Sequence, residues 1–194
     1  IKPYFFTPNP LVLYDPLNTN RRHLATDITR RFKLENAIKS PSLVYYNYMI
    51  KDTDRPDIIA DKLYGDSTLD WLIFVINNIF DPYFQWPLTY KQFNDYLAQK
   101  YGSASVAQAG IHHYEKIIQA RKDYNTPDGE RIVIPENALQ VDQTTYTSLA
   151  SSDRRSVTNY DFEENANNRK RSIKLIDAAF IPAIVQQFDE IYRA

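Results

Sequence analysis

The chain has 194 residues, 23 Lys plus Arg against 24 Asp plus Glu, and a formal net charge of -1. That balance excludes a global electrostatic pull toward nucleic acid or anionic lipid. With no cysteine there is neither a disulfide framework nor a thiolate metal site, which fits a reducing compartment. No apolar run reaches the roughly 20 residues that span a bilayer; residues 71–80 are too few and are broken by Asn77 and Asn78. Nothing reads as a secretion signal. Fifteen tyrosines stand beside four glycines. Tyrosine serves half-buried strand positions and also surfaces that are dry in the middle and wet at the edge; both readings stay open.

Residues 1–15 carry Pro3, Pro8 and Pro10, which forbid a continuous helix and favour an extended arm. Tyr4, Phe5, Phe6, Leu11, Leu13 and Tyr14 make it apolar, so the arm lies along its own domain or along a partner. Residues 24–39 read as a helix capped by Thr26 or Asp27, with Ile28, Phe32 and Leu34 inward. Arg30, Arg31 and Lys33 are interspersed, as on a solvated face. Residues 43–50, β-branched and aromatic, read as a strand.

The chain is organised around residues 48–86. Pro56 suits a first helical turn, Asp57 the positive end of its dipole, and Gly65 the left-handed exit. Ile59 and Leu63 share a face. Ser67 opens a second helix, with Asp70 at capping-box spacing. Leu69, Leu72, Ile73 and Ile76 fall on one stripe; Trp71, Phe74 and Val75 lie off it and are apolar too. A helix apolar on most sides is buried on most sides, by this chain or by a partner. In residues 81–88 two prolines stiffen the backbone, and Tyr83, Phe84 and Trp86 project as interface anchors or as the seal of the two-helix core.

Thr89 and Gln92 form a capping box for a helix with Phe93, Leu97 and Tyr101 on one face, stopping at Gly102. Residues 103–110 read as a small, flexible link. Residues 111–119 and 130–135 read as strands of a hairpin around Thr126-Pro127-Asp128-Gly129. Residues 136–153 read as a long polar loop, 156–171 as a charged helix and 173–176 as a brief strand. Pro182 opens a helix with Ile184, Val185, Phe188, Ile191 and Tyr192 on one face, which must dock on something.

Chemistry is sparse. His112 and His113 are adjacent on a strand and so point to opposite faces; His23 stands apart. Asp52 and Asp54 read as a helix-capping turn, Glu163 and Glu164 as solvent-facing, and residues 169–171 as a helix C-terminus. No nucleophile elbow, P-loop or dinucleotide fingerprint is present in the sequence. No catalytic, cofactor-binding or metal-ligating residue is assigned, and an enzyme is the least supported class.

Residues 48–78 resemble the LysM module, a β-α-α-β glycan-binding fold. The likeness rests on the strand ending at Ile50, Asp52-Thr53, Ile59-Ala60, Tyr64-Gly65, and Leu72 with Asn77. Lys51 stands where the module usually has glycine, and no second strand is evident after Asn78. A longer resemblance is to the inner baseplate wedge proteins, the gene-product-53 family, of T-even-type contractile-tailed phages. It is carried by Arg55-Pro56, Tyr64-Gly65, Trp71 through Asn77, and Asp81-Pro82-Tyr83 with Trp86, and is extended by Thr26-Asp27-Ile28 and by residues 173–176.

The expected fold is therefore α+β: an arm and helix (1–40), a LysM-like core with a following helix (41–102) and a C-terminal α+β region (103–194). The resemblance implies a virion protein, present in the host cytoplasm during assembly. It would clamp neighbouring wedges around the tail tube in multiple copies, touching the ring-forming wedge subunit and a small sheath-initiating subunit, without nucleic acid or membrane. The alternative is a LysM-type binder of peptidoglycan. The expected interface residues are Tyr4, Phe5, Phe6, Trp71, Phe74, Tyr83, Phe84, Trp86, Phe188 and Tyr192.

Overall fold

A computed structural model describes residues 9–15, 18, 20–29 and 45–193. In chain order the elements begin β1 (Leu11–Tyr14), β2 (His23–Thr26), β3 (Tyr45–Met49), α1 (Pro56–Tyr64), α2 (Asp70–Ile76), α3 (Pro82–Gln85), α4 (Tyr90–Tyr101) and α5 (Ala104–Ala109). They continue with β4 (Ile111–Gln119), β5 (Lys122–Asn125), β6 (Arg131–Ile134), β7 (Asn137–Val141), α6 (Gln143–Ser148), β8 (Arg154–Thr158), α7 (Asn159–Arg169), β9 (Ser172–Ile176) and α8 (Ile181–Arg193). The chain is α+β, as expected. It divides into two compact units, residues 1–87 with 170–194, and residues 88–169. These limits differ from the expected 1–40, 41–102 and 103–194, because β9 returns to pair with β3 and makes the first unit discontinuous.

In the first unit β3 and β9 form an antiparallel pair, Tyr46 opposite Leu175 and Tyr48 opposite Ile173. The order around the core is thus strand, helix, helix, strand, and the closing strand arrives only after the second unit. α1 starts at Pro56 and ends where Gly65 takes φ 70°, its N–H bonding the Asp61 carbonyl, a conformation that costs a β-carbon-bearing residue more. The next cap is Asp66, not Ser67: its carboxylate accepts from the Thr68 N–H, and a 3-10 turn, Ser67–Leu69, precedes α2. Ile59, Leu69, Leu72 and Ile73 are buried together with Ile173, Leu175, Ile184 and Phe188. Trp71, off the expected stripe, is also buried, because the amphipathic α8 docks here and stacks Phe188 on it at 4.5 Å between ring centroids.

Asn77 seals one side of the sheet. Its amide donates to the Lys174 carbonyl and accepts from the Lys174 N–H, both at 2.8 Å, as a neighbouring strand would. At the N-terminal end the expected helix over 24–39 does not begin at Leu24. β2 pairs there with β1, Leu13 opposite Leu24. Asp27 does cap, but only a turn, accepting from the Thr29 N–H at 3.0 Å. The remainder of that helix lies outside the described residues.

The second unit opens with the capping box of Thr89 and Gln92. Phe93 and Leu97 are buried with Ala107. Residues 103–110 are not a flexible link: Ser103 caps α5 by accepting from the Val106 N–H. A β-carbon on Gly110 would lie 2.5 Å from the Asn159 side-chain amide, which would have to shift to admit it. β4 does not form the hairpin expected of it. It is the centre of a three-stranded sheet, β7-β4-β8, and the Thr126–Gly129 turn instead joins β5 to β6. The expected loop over 136–153 contains β7 and α6, the latter capped by Asp142. The sheet claims residues 154–158 before α7 starts.

Candidate interaction surfaces

The expected interface residues are placed very differently from one another. Tyr4, Phe5 and Phe6 lie outside the described residues, as does the side chain of Tyr192. Trp71 and Phe188 are buried against each other, 4% and 0% exposed. Phe74 and Trp86 are half-buried and meet edge to face at 6.1 Å, and Trp86 donates its indole N–H to the Asp54 carbonyl at 3.4 Å.

Tyr83 and Phe84 project from α3, 84% and 69% exposed, their rings edge to face at 5.2 Å. The turn that presents them is held from several sides. Asp81 accepts from the Tyr83 N–H at 3.0 Å, and Gln85 Oε1 accepts from the N–H groups of Phe80 and Asp81 at 2.7 and 2.9 Å. Lys170 Nζ donates to the Phe84 carbonyl at 2.8 Å. Two rigid, solvated aromatics on a braced backbone lose little entropy when another surface covers them.

Sequence reading missed two further apolar surfaces. In the first unit, Leu11, Leu13 and Leu24 are exposed on one face of the β1–β2 hairpin. Leu11 and Leu13 were read as part of an apolar arm, but their partner Leu24 was hidden by the assignment to a helix. In the second unit, Tyr124 and Ile132 sit opposite each other on the β5–β6 hairpin, both exposed. Its other face carries an ion cluster in which Arg131, and then Arg121, hold the Asp123 carboxyl below its usual range. A two-stranded hairpin is marginal alone in water, and contiguous exposed apolar faces mark contact sites.

Polar chemistry gathers in the second unit. Glu163 is not solvent-facing as expected but buried, because α7 turns it toward α4. There it accepts from Tyr96 Oη at 3.0 Å, Tyr101 Oη at 2.9 Å and Lys100 Nζ at 2.5 Å. Burial pushes its carboxyl up, but hydrogen bonds from Lys100, Tyr101 and Tyr96 outweigh that and hold it below the ordinary range. Nor do His112 and His113 point apart. A register shift between Ile111 and His113 brings their Nδ1 atoms to 2.8 Å, and His112 stacks on Phe162 at 3.8 Å.

These histidines line a groove of about 650 Å³ with Glu115, Glu136, Arg155 and Arg169. Several of these groups meet one another: Glu115 meets His113 at 3.1 Å and Arg155 at 2.5 Å, and Arg155 meets Glu136 at 2.7 Å. Among the described residues no cluster of three His, Cys, Asp or Glu could hold a metal ion. No described helix is long and apolar enough to cross a membrane. The groove's ion pairs brace β4 against β8, and the His112–Phe162 stack adds α7.

Compared with known proteins, residues 12–191 match the family model described as Base plate wedge protein 53. Baseplate wedge protein gp53 of Enterobacteria phage T4 is 30% identical over 102 residues, which is 52% of this chain and 50% of that protein. The match thus spans about half the length of that relative.

Proposed function

This chain belongs to the Base plate wedge protein 53 family, and from that premise we propose that it joins neighbouring wedges of a contractile-tail baseplate around the tail tube during assembly. A baseplate structural role follows from the family. The clamping role is our reading, and the observation that carries it is the braced pair Tyr83 and Phe84, supported by the open leucine face of β1–β2 in the same unit and the Tyr124–Ile132 face in the other. A joining protein needs separate surfaces for separate neighbours, and permanent interfaces are more hydrophobic than transient ones.

The proposed partners are the ring-forming wedge subunit and the small sheath-initiating subunit, met in multiple copies within the virion after assembly in the host cytoplasm. The role requires no catalytic step, nucleic acid or membrane. A second reading, a LysM-type glycan binder, draws on the strand-helix-helix-strand order of the first unit. The two separate in one experiment. Purified baseplates are analysed for this chain by quantitative mass spectrometry, and the free chain is incubated with chitin and peptidoglycan. We expect the chain in baseplates and none retained on either glycan; retention on glycan with absence from baseplates overturns the proposal.

A further inference from the structure

The two edges of the β3–β9 sheet are treated differently. The register shows which backbone groups each edge presents. Just beyond the ladder the Ile50 N–H bonds the Arg171 carbonyl at 2.9 Å. In an antiparallel pair bonded and non-bonded positions alternate, so Tyr48 with Ile173 and Tyr46 with Leu175 are bonded pairs. Asn47 with Lys174 and Met49 with Ser172 are the non-bonded pairs between them. Residues at those positions turn their N–H and C=O away from the partner strand. On the β9 side this is observed directly, since both outward groups of Lys174 are taken by the Asn77 amide. On the β3 side the matching groups of Asn47 and Met49 have no partner among the described residues. Asn47 is exposed and Met49 is 62% exposed. One edge is stoppered by a side chain that imitates a strand, and the other is open at Asn47 and Met49 among the described residues.

We propose that the outer edge of β3 receives an extended segment of a neighbouring baseplate chain as a third strand. This rests on the baseplate reading above and names one contact within it. Open ladder groups are complementary to a peptide backbone and to little else. The side-chain pattern of the incoming segment follows from the faces of β3. Tyr46 and Tyr48 lie beside the buried Leu175 and Ile173, so every second residue of the segment is apolar and extends that inner face. The residues between lie beside Asn47 and Met49, on the side that carries the exposed Lys174 and Ser172, and are polar or small.

Asn47→Pro tests this. Proline removes an N–H that no described residue accepts, and is tolerated on an edge strand. The variant should melt within a few degrees of wild type and be depleted at least about tenfold from purified baseplates, as loss of ladder bonds to a partner requires. Wild-type content of the variant in baseplates overturns the inference while leaving the baseplate reading intact; absence of the wild-type chain overturns both. Should the proline variant fail to fold, amide hydrogen exchange of the wild type decides. The Asn47 and Met49 amides exchange freely in the isolated chain and should slow by at least about a hundredfold in the assembled baseplate, the mark of a paired strand. Unchanged exchange, or a dimer of the free chain that protects the same amides, overturns the proposal.

Discussion

Glu163 shows how a single buried charge ties two helices together. Its carboxylate is satisfied by three donors on α4, and its proton affinity is held down in the fold. A carboxyl depressed in this way stabilises the native state above its unfolded pKa, and that contribution is lost as pH falls through the folded value. The second unit should therefore lose stability on acidification below the ordinary glutamate range. Glu163→Gln should cost about 1–3 kcal/mol at neutral pH and flatten that acid limb, both measured by thermal melts across pH. An unaltered acid limb would show that the network contributes nothing.

The aromatics divide in the same residue-level way. Trp71→Ala removes half of a buried stack and should cost about 3–5 kcal/mol. Tyr83→Ala with Phe84→Ala alters a solvated surface and should cost about 0.5 kcal/mol or less at each site, yet remove the chain from baseplates. Sequence alone named all three as interface candidates. It could not separate them, because what covers Trp71 is α8, more than a hundred residues away.

Between elements, local signals were legible and distant pairings were not. The Thr89 capping box, the Gly65 stop and the brief strand expected over 173–176 each follow from a few neighbouring residues and stand in the structure, the strand starting one residue earlier. The partner of β9 is β3, and the partner of β6 is β5 rather than β4. The β3–β9 pairing joins residues more than a hundred positions apart, which no short window contains, whereas β5–β6 is a local hairpin whose first strand the sequence reading passed over. α5 was missed because six residues rich in Ala carry too little periodicity to reveal a helix. Asn77 was noticed as a motif residue, but its work as a strand mimic needs β9 beside it. Asn77→Ala should cost about 1–3 kcal/mol by stranding both backbone groups of Lys174. It should also expose a second edge, seen as concentration-dependent association in sedimentation. A variant as stable and as monomeric as wild type would contradict this role.

At the level of the whole molecule, the second unit is an insertion between α3 and β9. Its ends are clipped together by Asn167, which accepts from the Leu88 N–H at 2.7 Å and donates to the Leu88 carbonyl at 3.1 Å. Replacing residues 88–169 by a short glycine-serine linker should leave the first unit folded. Both tryptophans lie in that unit, so a cooperative fluorescence melt reports on it alone, and a chain without one would show that the units are interdependent. Family membership points to the baseplate, and the exposed aromatic and leucine faces are the contacts proposed for it.

Hydroxyl-radical footprinting of the free chain and of intact baseplates tests this most directly. The account predicts that labelling of Tyr83 and Phe84 is heavy in the free chain and falls steeply on assembly, with Trp71 and Phe188 protected in both. Equal labelling of Tyr83 and Phe84 in the two states would contradict it.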